Sequence, residues 1–162
     1  MDDKTLSHLD EAGRARMVDV GDKPVTVRMA RALGHLICQA ETLIRVREDR
    51  APKGAVITTA EIAGIMAAKK TSELIPLCHV LTLSKVKVVI TPDPDLPGFL
   101  IESEVRVIAQ TGVEMEALTA VSVAGLTLYD MLKAIDKTLR LESIALVQKT
   151  GGRSDSANVS VV

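Results

Sequence analysis

Tryptophan is absent from the 162 residues, and Tyr129 and Phe99 are the only other aromatics. A chain so poor in rings lacks the stacking platforms that single-stranded nucleic acid needs, and a formal net charge of −1 removes the overall basic field expected of a duplex binder. No nucleic-acid partner is expected. Cysteine is scarce too: Cys38 and Cys78 form no Cys-x-x-Cys motif, and His8 and His35 are not spaced to complete a tetrahedral metal site. With no signal peptide, the two thiols read as free groups in a reducing compartment, which predicts a cytoplasmic protein. Uninterrupted apolar runs stop short of the roughly 18 residues of a membrane span, although Ala117 to Leu128 needs cover on most sides. With 47% hydrophobic residues in a small chain, some apolar surface is expected to be covered by a second subunit.

What is present divides cleanly along the chain. Residues 1–15 are polar and unpatterned and are predicted to be a mobile segment, followed by a short extended piece at Met17–Val20. Val25 to Ile37 has a strand period, with Ala30, Ala32 and Leu36 also tolerating helix; a strand is predicted. Gln39 to Glu48 and Thr59 to Ile75 read as helices, the second ending before Pro76, with Lys53 on the loop between. Val80 to Thr91 and Phe99 to Ala109 alternate around a proline-rich turn and make a hairpin. A long helix after Thr111 and a closing strand from Leu141 to Lys149 complete one α+β domain over 16–150, with a flexible tail at 151–162. The order predicts a ferredoxin-like split β-α-β fold, an antiparallel sheet with helices packed on one face.

The stretch from Thr111 to Lys137 carries few charges in an apolar helix. Glu114 and Glu116 sit in its first turn, where carboxylates favour the positive end of the helix dipole, with Thr111 and Gly112 offering a turn and a cap. Asp130 and Lys133 are three residues apart and Lys137 follows on nearly the same side. An ordinary exposed salt bridge, stabilising by about 0.2–0.5 kcal/mol, accounts for that pair. The alternative is that Tyr129, Met131, Leu132 and Ile135 keep the pair dry and its pKa values movable.

Leu74-Ile-Pro-Leu-Cys-His-Val packs a proline, a thiol and an imidazole between a helix end and a strand start, where loops often carry sites. Adjacent residues of an extended chain point apart, so Cys78 and His79 do not make a dyad by adjacency, and packing explains Cys78 more simply. Arg28, Lys53, Lys69, Lys70, Lys85, Lys133, Lys149 and Arg153 lie in different elements. Lys149-Thr-Gly-Gly-Arg-Ser couples cations to glycines whose backbone N–H groups can approach an anion, though a flexible tail explains the same residues.

Six runs, taken together, resemble one family: Leu74-Ile-Pro-Leu-Cys-His, Thr111-Gly-Val-Glu-Met-Glu-Ala-Leu-Thr-Ala, Leu128-Tyr-Asp-Met-Leu-Lys, Lys149-Thr-Gly-Gly-Arg-Ser, Met17-Val-Asp-Val and Thr26-Val-Arg. The family is that of the cyclic pyranopterin monophosphate synthases of molybdenum cofactor biosynthesis, and the resemblance covers nearly the whole chain in order. Val80, Thr150 and Arg153 stand where proline, serine and lysine are commoner in it.

The resemblance implies a lyase that converts 3′,8-cyclo-7,8-dihydro-GTP into cyclic pyranopterin monophosphate and pyrophosphate. It implies Asp130, Lys133 and Lys53 as catalytic residues and Leu77, Cys78, His79, Glu114, Met115 and Glu116 as substrate contacts. Arg28, Lys149 and Arg153 become candidates for the triphosphate. No metal site or required cofactor is implied, with room for magnesium accompanying the triphosphate or pyrophosphate. The family's assembly is a homohexamer, a trimer of dimers with sites at subunit contacts, and a transient contact with the upstream radical enzyme fits an unstable substrate. A non-catalytic nucleotide-binding module or scaffold on the same fold is the competing expectation.

Overall fold

Small residues on one face of the first strand decide how the helices pack. In the computed structural model, which describes residues 12–48, 55–152 and 155–157, Thr26–Ile37 forms β1. Its Ala30, Ala32, Gly34 and Leu36 are buried while Arg31, Leu33, His35 and Ile37 are only half-buried. Leu83–Asp93 (β2) and Gly98–Ala109 (β3) form the hairpin, and β3 also pairs antiparallel with β1 from Thr26 opposite Ala109 to Ile37 opposite Gly98. Arg140–Thr150 (β4) runs antiparallel along the other side of β1, and Ser156–Ala157 (β5) adds a last short strand. The sheet order is β2-β3-β1-β4-β5. Without β5 this is the ferredoxin-like arrangement expected from the order of elements.

The helices are α1 (Ala40–Arg47), α2 (Val56–Ala68), α3 (Thr71–Leu74) and α4 (Glu114–Leu132). The central helix α4 packs against α2 and against β1, β3 and β4, and α2 also covers β2. Thr119, Val121, Val123, Gly125 and Thr127 are mediocre or poor helix formers, each costing up to about 1 kcal/mol relative to alanine. Burial decides the outcome: Val121, Leu128 and Leu132 are fully buried with Phe99, Leu36, Ile101 and Val105, and each such side chain contributes about 1.5–3 kcal/mol. Length and apolarity alone would let α4 cross a membrane; here it forms the centre of the core.

Three elements differ in extent from those expected. The predicted helix from Thr59 to Ile75 starts at Val56 and breaks after Ala68, because the buried Thr71 hydroxyl turns back on the carbonyls of Ala67 and Ala68 and lets α3 begin anew. The strand expected from Val80 starts at Leu83, since His79 is engaged by the Val18 carbonyl and Val80 is exposed. Helix α4 stops at Leu132 rather than reaching Lys137. The amides of Ile135 and Asp136 both close on the Leu132 carbonyl, and the buried Asp136 carboxylate accepts from the Gln39 and Thr138 amides and the Thr42 and Thr138 hydroxyls. Its N-cap is Val113, with no side-chain hydrogen bond from Thr111 or elsewhere. In the stretch expected to be a flexible tail, the Gly151 amide donates to Asp155 and Ser156 pairs with Lys149.

Candidate active site

The N-terminal end of α4, the last residues of β3 and β4 and the first of β1 meet at one end of the sheet, where two clefts adjoin. One, of about 360 Å³, is lined by Lys23, Arg28, Gly112, Lys149 and Gly151 among others. The second, of about 440 Å³, is lined by Leu77, Cys78, His79, Met115 and Glu116. Lys23, Thr111, Gly112 and Glu114 border both, so the clefts are two ends of one surface.

Two of the cations in the first cleft, Arg28 and Lys149, are held by backbone and by charge respectively. Arg28 Nε donates to the Ala109 carbonyl at 3.0 Å, and Lys149 Nζ lies 3.7 Å from Glu114 Oε1. Gly151 has φ of +85°, and a Cβ there would strike the Val27 carbonyl, so glycine lets the end of β4 lie flat on β1. Gly112 leaves the space into which the Glu114 carboxylate folds back. The cluster therefore combines cations, glycine backbone and a helix start, as an anion site requires.

The second cleft is less charged. His79 Nε2 lies 2.9 Å from the Val18 carbonyl, which as an acceptor requires Nε2 to carry the proton. Glu116 is buried, and that burial, with the nearby charge of Glu114, pushes its carboxyl above the ordinary range despite a backbone hydrogen bond that opposes the shift. Burial and then the Glu116 charge push the Cys78 thiol up, so Cys78 is a poor nucleophile as it stands.

Asp130 and Lys133 are elsewhere. Lys133 Nζ meets Asp130 Oδ1 at 2.7 Å, but the side chains are 54% and 56% exposed, so the dry setting that was the alternative for this pair is not found in the single chain. The hydrogen bond and charge of Asp130 push the Lys133 ammonium up, keeping it a cation. At 1.5 Å per residue, Glu116 and Lys133 are separated by roughly 25 Å along the helix axis. One subunit therefore brings together Arg28, Leu77, Cys78, His79, Glu114, Met115, Glu116 and Lys149, and leaves Asp130 and Lys133 at the opposite end. Lys53 and Arg153 lie outside the described residues. Lys23 was not among the expected site residues; its signal was the Gly21-Asp-Lys-Pro turn, which spacing alone could not place beside α4. Among the described residues, no three His, Cys, Asp or Glu side chains cluster as metal ligands.

A model of the MoaC family matches residues 17–152, a span that contains both clefts and the Asp130–Lys133 pair. The chain belongs to the MoaC family. Similar proteins, each named cyclic pyranopterin monophosphate synthase, include one from Chloroflexus aurantiacus, 59% identical over 149 residues (92% of this chain and 91% of the relative). Another, from Methylobacterium sp., is 60% identical over 152 residues (94% and 95%), and a third, from Nostoc sp., is 58% identical over 149 residues (92% and 89%). Agreement at that level along nearly the whole length makes the MoaC membership a statement about the entire domain, not about one motif.

Proposed function

We propose that the protein is a cyclic pyranopterin monophosphate synthase of molybdenum cofactor biosynthesis, a pyrophosphate-releasing lyase acting on 3′,8-cyclo-7,8-dihydro-GTP. The observation that carries this is the cleft pair, one end cationic and glycine-lined and the other apolar and thiol- and imidazole-lined, in a chain 58–60% identical to proteins of that name. Closing a cyclic phosphate on the α-phosphorus needs a hydroxyl oxygen as nucleophile and pyrophosphate as leaving group. Arg28 and Lys149 are suited to hold the triphosphate, while Leu77, Cys78, His79, Met115 and Glu116 would face the base. Glu114, paired with Lys149, would be displaced toward the base as phosphate takes the ammonium. Arg153, two residues beyond Gly151, completes the phosphate contacts in this reading. Any magnesium arrives on the phosphates.

Proton transfers during ring opening and closure are assigned to Lys133, held by Asp130, and to Lys53. In the single chain the hydrogen bond and charge of Asp130 favour the cationic form of Lys133. For it to act at a cleft some 25 Å away, it must come from a second copy. An exposed stripe on α4 supports that arrangement: Met115, Leu126, Tyr129 and Lys133 share one side at helical spacing, with Leu126 58% and Tyr129 38% exposed. Two such helices packed antiparallel would set Lys133 of one copy against Met115 and Glu116 of the other. A dimer of this kind, assembled into a hexamer, gives composite sites, and a cytoplasmic location suits the free thiols Cys38 and Cys78. An upstream radical enzyme would hand over the labile substrate.

The test is to incubate the purified protein with 3′,8-cyclo-7,8-dihydro-GTP and follow pyrophosphate and pterin together. Stoichiometric formation of both is expected. Tight binding with neither product would make the chain a nucleotide-binding scaffold.

A further inference from the structure

One cation that borders both clefts, Lys23, is carried by a turn rather than by a strand or helix. The turn closes through the Lys23 amide on the Val20 carbonyl at 3.0 Å, and the Gly21 amide donates to Asp19 Oδ1 at 2.8 Å. Both contacts are internal, so neither fixes the turn on the protein. Attachment comes from Gln110, whose Nε2 donates to the Gly21 carbonyl at 2.8 Å, and from His79 at the Val18 carbonyl, three residues earlier. Pro24 follows Lys23 and biases it toward extended backbone, so where the turn sits decides where the ammonium goes. Gln110 comes directly after Ala109, whose carbonyl holds Arg28. The end of β3 thus sets two cations of the anion cleft, one by its carbonyl and the other through a side chain.

We propose that Gln110 is a positioning residue for pyrophosphate and triphosphate binding, acting through Lys23 by anchoring the Gly21 carbonyl. The inference rests on the cationic cleft being the phosphate site. Gln110 also borders that cleft, so a direct contact with phosphate is the competing role, and the two roles differ in how they couple to Lys23. An anchoring role makes Gln110 matter only while Lys23 is present; a direct contact contributes whether or not Lys23 is there.

Gln110→Met keeps the length and bulk of the side chain and removes the donor. Inorganic pyrophosphate is titrated calorimetrically into the full-length protein, Gln110→Met, Lys23→Ala and the double variant, with thermal unfolding of each as a folding control. The expected result is a loss of affinity of about tenfold for Lys23→Ala, as for a lost charge-assisted contact, and severalfold for Gln110→Met. No further loss is expected in the double variant, and the unfolding midpoints should stay together. With the dihydro-GTP substrate, the same variants should raise KM and leave kcat near its original value. Additive losses, or full affinity in Gln110→Met, would overturn the inference while leaving the phosphate site intact. An unaltered protein that binds no pyrophosphate would instead overturn the phosphate reading of the cleft, and the role of Gln110 with it.

Discussion

Lys149 Nζ, at the end of β4, lies 3.7 Å from Glu114 Oε1, in the first turn of α4, and the two side chains close one wall of the cationic cleft. Both are 35% exposed, and at that distance the pair contributes under about 1 kcal/mol to folding. In the proposed reading the pair holds an ammonium ready for a stronger anion.

Lys149→Ala should therefore leave the unfolding midpoint almost unchanged and raise KM for the dihydro-GTP substrate about tenfold, with kcat preserved. Steady-state kinetics beside a thermal melt checks both halves. A collapse of kcat at unchanged KM would place Lys149 in the chemistry instead.

Lys133→Ala and Glu116→Ala occupy opposite ends of α4, and each alone should cut turnover by about 10²-fold or more. Mixed after dissociation and reassembly, they should regain roughly a quarter of full activity, because half of the randomly formed two-fold dimers are mixed and each mixed dimer has one intact composite site. Pyrophosphate release before and after mixing measures it. Failure to recover would put the whole site within one chain.

Glu116 is buried with its carboxyl raised, so its ionisation opposes folding: the stability tied to the neutral form is complete below the unfolded pKa of about 4.3 and is lost as pH rises through the folded value. Glu116→Gln should raise the unfolding midpoint at neutral pH and weaken turnover. The difference in midpoint should close as the pH is lowered toward 4.

Asp136 has the opposite sign. Burial raises its carboxyl, but hydrogen bonds from Gln39, Thr138 and Thr42 outweigh that and leave it below the ordinary range. It adds stability above the unfolded pKa of about 3.9, and the contribution disappears as pH falls through the folded value. Asp136→Asn replaces an acceptor with an N–H₂ that faces donors. It should cost about 2–3 kcal/mol at neutral pH, roughly 5–10 °C in unfolding midpoint, and progressively less in acid.

Asp136 also shows where sequence patterns run out. In the chain it is one acid between Ile135 and Lys137, indistinguishable from a surface charge, and its partners Gln39 and Thr42 are almost a hundred residues away. The hairpin of β2 and β3 was legible because alternation and a Pro/Gly turn are local signals. The break at Lys69 was not, since it depends on one buried threonine at the start of α3 bonding the carbonyls that end α2. Among candidate site residues, Cys78, His79 and Glu116 stood out by motif and resemblance, whereas Lys23 is marked only by the Val20–Lys23 turn lining the same cleft as the start of α4.

The amino-acid order by itself determined the α+β class, the ferredoxin-like succession of elements and the membership of the family, because periodicity, turn chemistry and long ordered motifs are properties of neighbours along the chain. Tertiary structure alone decided that the cationic cleft and the Asp130–Lys133 pair sit at opposite ends of one helix. A helix advances a fixed distance with every residue, so charges that look gathered on a single segment are held apart by its rigidity, while Arg28 and Lys149, more than a hundred residues apart, meet through strand pairing.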